Sequence, residues 1–310
     1  MLHKIIIPAC LLLYLLVAAV PAAPGAGLPL AVSIPPQAYF LKRIAGDSAR
    51  IQVLVPPGRE PHNYDPTPKQ LAELSKCRAL FLMGVPFEKA LLPKLKANFP
   101  RLKLVNTISG IKLRLITPSE SGHHAHQHAK EPQPKAAHGH AQKPAEHQGE
   151  PDPHTWMDPI LVKQQAANMA RALKELDPAR SAEYDRNLKS FQADLDELNA
   201  RLAKVLAPVK GKTLMVFHPA FGYFSDRYGL KQKAIETGGR SPGPKHLAHL
   251  IEEAKEHGAK VIFVQPEFSK ESARALAQAI KGVVASLDPL AQDYMQNLQD
   301  AADRIAAALK

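Results

Sequence analysis

The sequence predicts an α/β protein of two lobes, each built on a mostly parallel sheet and joined by a long helix. Three observations predict it. Short β-type runs alternate with helical segments through a first block, residues 30–105, the pattern of βαβ units. The same alternation recurs in a second block, 213–309, again with about four strands. Between them, residues 179–207 carry Tyr184, Leu188, Phe191, Leu195, Leu198, Leu202 and Val205 at spacings of four and three, one apolar stripe on a helix. Such a helix reaches roughly 43 Å, more than one small domain needs and suited to a spine along two lobes.

Taken in order, the run 30–34 is a strand that stops at Pro35-Pro36, and 38–45 is a helix ended by Gly46. Residues 51–55 form the next strand, closed by Pro56-Pro57-Gly58, and 68–76 a helix with Pro68 in its first turn. Strand 79–83 ends at Gly84, helix 87–98 follows, and strand 102–105 ends near Asn106. A helix over 159–176 is closed by Asp177-Pro178. In the second block the strands are 213–217, 231–235, 260–264 and 283–286, and the helices 223–228, 247–257, 270–281 and 290–309. Gly258 is the C-terminal stop of the helix before it. The expected organisation is a first lobe over 27–176, a linking helix over 177–208 and a second lobe over 209–310.

Residues 1–26 belong to neither lobe. His3 and Lys4 precede an apolar stretch, 5–20, broken by Pro8, and small residues follow up to Gly27. This is the pattern of a cleaved secretory signal peptide, too short for a bilayer span. Cys10 leaves with it, so Cys77 is the one mature cysteine and no intramolecular disulfide is expected. Export without a disulfide frame points to a bacterial periplasm. The net charge is +11, but Lys and Arg are interleaved with Asp and Glu along helical segments and no basic-aromatic cluster occurs. These are solvated faces, and no nucleic-acid partner is expected.

Between Ile116 and Trp156 there is no Leu, Ile, Val, Phe, Tyr or Met. Seven histidines stand between Thr117 and Pro151 instead: His123, His124, His126, His128, His138, His140 and His147. A segment with nothing to bury cannot offset its chain entropy, and 118–151 is expected to be a disordered loop. A cysteine-free tract this rich in imidazole reads as a metal-binding segment. It runs directly into Asp152-Pro153-His154-Thr155-Trp156-Met157-Asp158-Pro159, where structure-forming sequence resumes.

Ligands of open α/β sheets bind beyond the carboxyl ends of strands. His62 follows the strand ending at Val55, His218 directly follows Phe217, and Asp288 follows Ser286-Leu287. His154 joins them from the far end of the histidine tract. Three imidazoles and one carboxylate suit tetrahedral Zn²⁺, whereas a manganese site favours more oxygen donors. Glu60 is an alternative to Asp288, or orients an imidazole from behind. The neighbouring prolines stiffen these loops and lower the entropy lost on gripping an ion. His246, His249 and His257 read as ordinary surface residues. Trp156 and Tyr64 suit either a cleft wall or core packing.

At these residues the chain resembles the solute-binding proteins of zinc and manganese ABC importers, particularly the periplasmic zinc-binding (ZnuA-like) branch. The resemblance covers nearly the whole mature chain. It rests on Pro57-Gly58 through His62 to Pro68, on Asp152 through Pro159, on Phe217-His218-Pro219-Ala220-Phe221-Gly222-Tyr223-Phe224 with Arg227-Tyr228-Gly229-Leu230, and on Leu287-Asp288-Pro289-Leu290. It implies two (β/α)4 lobes joined by a rigid helix, metal held between them, and delivery to a membrane permease by a monomeric, non-enzymatic carrier. A histidine at 218, where manganese binders of this kind carry a carboxylate, implies zinc. The histidine-rich insert also resembles the zinc branch and would be a weaker accessory zinc site. Some such zinc binders have a C-terminal disulfide, which a single mature cysteine excludes here.

Other readings use the same residues. A zinc hydrolase would need an open position with water and Glu60 as general base, yet no His-Glu-x-x-His motif or nucleophile elbow is present. A manganese- or iron-binding protein, or a metal-buffering adhesin of the same fold, is the remaining alternative.

Overall fold

The computed structural model describes residues 27–117, 149–236 and 243–310. The predicted signal peptide and all seven tract histidines lie outside the described residues. No helix of the described residues is long and apolar enough to cross a membrane.

The first sheet comprises β1 (Leu28–Val32), β2 (Ala49–Val53), β3 (Ala79–Leu82) and β4 (Lys103–Asn106). All pair in parallel, in the order β2-β1-β3-β4. Leu30, Ala31 and Val32 of the central strand are fully buried, as expected where helices cover a parallel sheet. The connecting helices are α1 (Pro35–Ala45), α2 (Pro68–Leu74) and α3 (Pro86–Asn98). The double proline 35–36 does not merely end a strand. It opens α1 three residues earlier than the sequence suggests, because a first-turn residue has no intrahelical N–H bond to lose.

A short antiparallel ribbon, β5 (Leu115–Ile116) and β6 (Glu150–Pro151), follows. Too brief to carry an alternation, it is invisible in the sequence pattern. Next come α4 (Pro159–Leu176), a 3₁₀ turn over Pro178–Arg180, and α5 (Ser181–Leu206). The 26 residues of α5 extend for about 39 Å.

The second sheet comprises β7 (Thr213–Val216), β8 (Lys231–Ala234), β9 (Val261–Val264) and β10 (Val283–Ser286), parallel throughout in the order β10-β9-β7-β8. Its helices are α6 (Gly222–Tyr228), α7 (Pro244–Glu256), α8 (Glu271–Ala279) and α9 (Tyr294–Leu309). The closing helix starts at Tyr294 rather than at 290. Before it, Asp288 Oδ1 accepts from the Leu290 N–H (2.7 Å), a local turn that Pro289 favours.

α5 packs against α1 and α4 of the first block and against α6 and α9 of the second. Tyr184, Phe191, Leu195, Leu198, Leu202 and Leu206 are fully buried along it, with Leu188 and Val205 partly so. One continuous apolar core therefore runs from β1 through α5 to Phe263 and Tyr294. A second, smaller core lies around β9, α7 and α8. Phe191 sits at the crossing, its ring 5.9 Å from Phe40 and 4.9 Å from the Arg43 guanidinium. Replacing Phe191 by Ala should cost about 3–5 kcal/mol, read as a drop in the denaturant midpoint.

Candidate metal centre

Three histidines converge between the two sheets. His62 lies in the loop between β2 and α2, His154 just beyond β6, and His218 just beyond β7. Their ring centroids are 4.7 Å (62–218), 5.1 Å (154–218) and 5.6 Å (62–154) apart. One nitrogen from each ring lies within 4.8 Å of the other two, and among the described residues this is the one such group able to hold a metal ion. His154 and His218 are buried and His62 half-buried.

Each ring is held from behind by a carboxylate. Glu60 accepts from His62 Nδ1, Asp152 from His154 Nδ1 at 2.7 Å, and Glu236 from His218 Nδ1 at 2.6 Å. With Nδ1–H committed, each Nε2 presents a lone pair to the centre. The Nε2 atoms of His154 and His218 stand 3.2 Å apart. Two lone pairs facing at that distance repel unless a cation lies between them. Tetrahedral zinc, with bonds of about 2.0–2.1 Å to imidazole nitrogen, needs donors roughly 3.3 Å apart. The donor set therefore fits that ion.

Two of these pairs share one local device. In Glu60-Pro61-His62 and Asp152-Pro153-His154, the acid reaches over the proline to its own histidine. The same carboxylate oxygen accepts the histidine backbone N–H, at 2.8 Å and 2.9 Å. Proline fixes φ between them and so pre-sets the turn. The third pair is assembled across the sheet: Glu236 follows β8, which neighbours β7 in parallel register. Gln265, at the end of β9, completes the mount. Its Oε1 accepts from His218 N–H at 3.1 Å and its Nε2 donates to His218 O at 2.7 Å.

The remainder of the motif around His154 ties the lobes together. Trp156 stands beside His154 (5.1 Å between rings). Its Nε1–H donates to Pro289 O at 2.8 Å, while Tyr294 Oη donates to Trp156 O at 2.7 Å. Trp156 is thus both cleft wall and core. Asp158 caps α4 through the Ile160 N–H and takes a forked ion pair from Arg227 of α6. Phe268 stacks on His218 at 5.1 Å and closes the other side.

Burial, only partly offset by Glu236, lowers the His218 pKa to about 4. For Asp152, burial is outweighed by the charge and hydrogen bonds of His154 and by Arg114, which hold the carboxyl below its ordinary range. Glu60 is likewise held down by His62 against its burial.

The sequence-chosen ligands thus divide. His62, His154 and His218 come together. Glu60 stands behind His62 rather than in the centre. Asp288 is outside the cluster of ligand atoms, its Oδ1 on the Leu290 N–H and its carboxyl raised by burial. Sequence reasoning gave no role to Asp152, Glu236, Gln265 or Glu267. The repeated acid-Pro-His spacing was the available signal for Asp152; nothing in the linear sequence links Glu236 to His218. Glu267 lines the pocket beside Glu60 and His62. Its Oε1 is buried without a hydrogen-bond partner among the described residues, and burial, reinforced by Asp288 and Glu60, raises it to about 7.

Two rigidly joined α/β lobes gripping one ion-sized site through imidazoles define a transition-metal-binding protein of the solute-binding class. The chain belongs to the family described as ZnuA, zinc-uptake complex component A, periplasmic, whose model matches residues 30–308. That family consists of solute-binding proteins of ABC transporters, not enzymes. The high-affinity zinc uptake system protein ZnuA of Yersinia pestis is 30% identical over 273 residues, 83% of this chain and 81% of that one. A crystal structure of ZnuA superposes with a TM-score of 0.79 at 38% identity, covering 92% of this chain and 100% of the other. A 138–173 deletion mutant of ZnuA with zinc bound gives the same TM-score and identity, covering 92% and 98%.

Glu236→Gln should weaken metal affinity about 10–100-fold, measured by chelator competition. In the metal-free protein the folded His218 pKa lies below its ordinary 6.5, so the unfolded chain takes up the proton first. The stability contributed by neutral His218 is full above about 6.5 and lost as pH falls toward about 4. Unfolding titrations should show this slope in the parent and a flatter one in His218→Asn.

Proposed function

We propose that the protein captures Zn²⁺ in the cleft between its lobes through His62, His154 and His218 and delivers it to the permease of an ABC importer. The observation that carries the reading is the convergence of three imidazoles, each with its Nδ1 on a carboxylate. The family and the zinc uptake named for its relatives support it. The all-nitrogen triad favours zinc over manganese, which prefers oxygen donors.

The fourth donor is a carboxylate or water. Asp288 is the candidate from the sequence. Glu267 is the alternative, since it already lines the pocket with an oxygen left without a hydrogen-bond partner among the described residues. The protein works as a monomer in the periplasm after removal of residues 1–26. The histidine-rich stretch, 118–151, is a weaker accessory zinc site that raises the local ion concentration. The organisation into lobes 27–176 and 209–310 around a linking helix, 177–208, belongs to the same proposal. A helix packed into both lobes favours a small closure over a wide hinge motion.

Zinc and manganese titration calorimetry on the chelator-stripped mature chain, with and without residues 122–149, tests this. One tight zinc site should survive the deletion, bind manganese far more weakly, and lose at least about 100-fold in affinity in His218→Ala. Glu267→Gln and Asp288→Asn, run alongside, assign the fourth donor to whichever substitution weakens zinc. If all tight binding disappears with residues 122–149, the cleft site is wrong and the protein is a metal buffer.

A further inference from the structure

We propose that Arg114 is a positioning residue for the metal site: by bridging Asp152 to Asp226 it latches helix α6 of the second lobe onto the carboxylate that orients His154. The proposal rests on the zinc reading above and goes beyond it, since Arg114 is neither one of the clustered histidines nor one of the carboxylates behind them.

The bridge starts from backbone pairing. Arg114 lies just before β5, and its carbonyl accepts from Asp152 N–H at 2.9 Å. The guanidinium then divides. Nη1 donates to Asp152 Oδ2 at 2.9 Å, and Nε donates to Asp226 Oδ2 on α6, also at 2.9 Å. Asp152 is completely buried, and its other oxygen, Oδ1, holds both the backbone N–H and Nδ1 of His154. One carboxylate therefore joins the latch to the imidazole, with each oxygen engaged on one side.

Tyr223 doubles the connection. Its hydroxyl accepts from the Arg114 backbone N–H at 3.0 Å and donates to Asp152 O at 3.0 Å. Burial pushes that phenol up to about 12, so it stays protonated and keeps its donor. The guanidinium carbon lies 5.9 Å from the Tyr223 ring centroid.

The residue at 222 shows how close the two lobes come here. A Cβ on Gly222 would stand 1.9 Å from Arg114 Nη1 and 2.7 Å from Asp152 Oδ2. Only glycine lets the first residue of α6 lie against this ion pair. Because α6 begins four residues after His218, the contact also sets the distance between His154 and His218, donors from opposite lobes. With the bridge broken, Asp152 is a buried carboxylate short of one partner. It must shift toward other donors and carries the His154 ring with it. Zinc should then leave faster, because the ring that holds it is no longer fixed.

The experiment uses the full mature chain. The rate of zinc removal by excess chelator is compared for the parent, Arg114→Gln, Gly222→Ala and the double variant, with folding checked by circular dichroism and thermal melting. Arg114→Gln removes the charge, whereas Gly222→Ala keeps it and displaces the guanidinium. Each should raise the release rate about 10–100-fold, the scale for outer partners of metal ligands. The double variant should be no faster than the worse single, because both break one contact. Arg114→Lys, a single-point donor, should recover only part of the effect. Release rates within about twofold of the parent in both folded single variants, or multiplying effects in the double, would overturn the proposal. Amide exchange in the metal-free protein gives a second readout that does not depend on zinc. Both variants should lose protection over 152–156 and 222–228. A parent that binds no zinc defeats the proposed function, while unchanged exchange in the variants defeats the latch.

Discussion

Each of the three clustered imidazoles depends on a carboxylate at its back. A histidine has two nitrogens, and a binding site needs to know which one carries the proton. Glu60, Asp152 and Glu236 settle that at all three positions by engaging Nδ1. The result is three lone pairs aimed at one point. Asp152 and Glu236 are themselves almost completely buried, and a carboxylate in that setting is costly unless fully hydrogen-bonded. Much of the surrounding structure can be understood as meeting that need: the Arg114 guanidinium on Asp152, the two prolines that pre-set the acid-to-histidine turns, and the parallel β7–β8 pairing that brings Glu236 alongside His218.

Such a site also requires a frame that does not drift. His62 and His154 come from one lobe and His218 from the other, and their spacing is set by contacts outside the site. The core through α5 is continuous between the lobes. Trp156 is hydrogen-bonded to the backbone of Pro289 and receives Tyr294, and Arg227 forks onto Asp158. These contacts join the stretch around His154 to both α6 and the loop before α9. Close-packed interiors deform little, so the joint behaves as a stiff one. That stiffness lowers the entropy lost when the ion is held.

How much of this was legible in the sequence varied with the distance between partners. Both parallel sheets and the long helix could be read from alternation, periodicity and prolines, which act within a few residues. The three histidines were legible because each directly follows a strand end or a proline-flanked motif. The helix starts at Pro35 and Tyr294 were misplaced by a few residues, since a double proline or an Asx turn admits two local readings. The ribbon β5–β6 escaped because two residues per strand carry no pattern. Asp288 was chosen for its chemistry and strand-end position; one of its two carboxylate oxygens is engaged by the backbone of its own loop. Glu236, Gln265 and Arg114 escaped because their partners lie on other strands or on the other lobe, and Glu267 because the pocket it lines is assembled from segments far apart in the chain.

The sequence by itself determined the fold class, the two-lobed layout and the imidazole chemistry, because secondary-structure periodicity and residue type are local properties of the chain. It even held the repeated acid-Pro-His turn that orients two of the three clustered histidines. Only the tertiary structure decided which carboxylates stand behind the histidines, which pocket oxygen has no hydrogen-bond partner among the described residues, and how Arg114 ties His154 to α6. Those are questions of distance between segments far apart in the chain, and they are answered when the two sheets and α5 pack into one core.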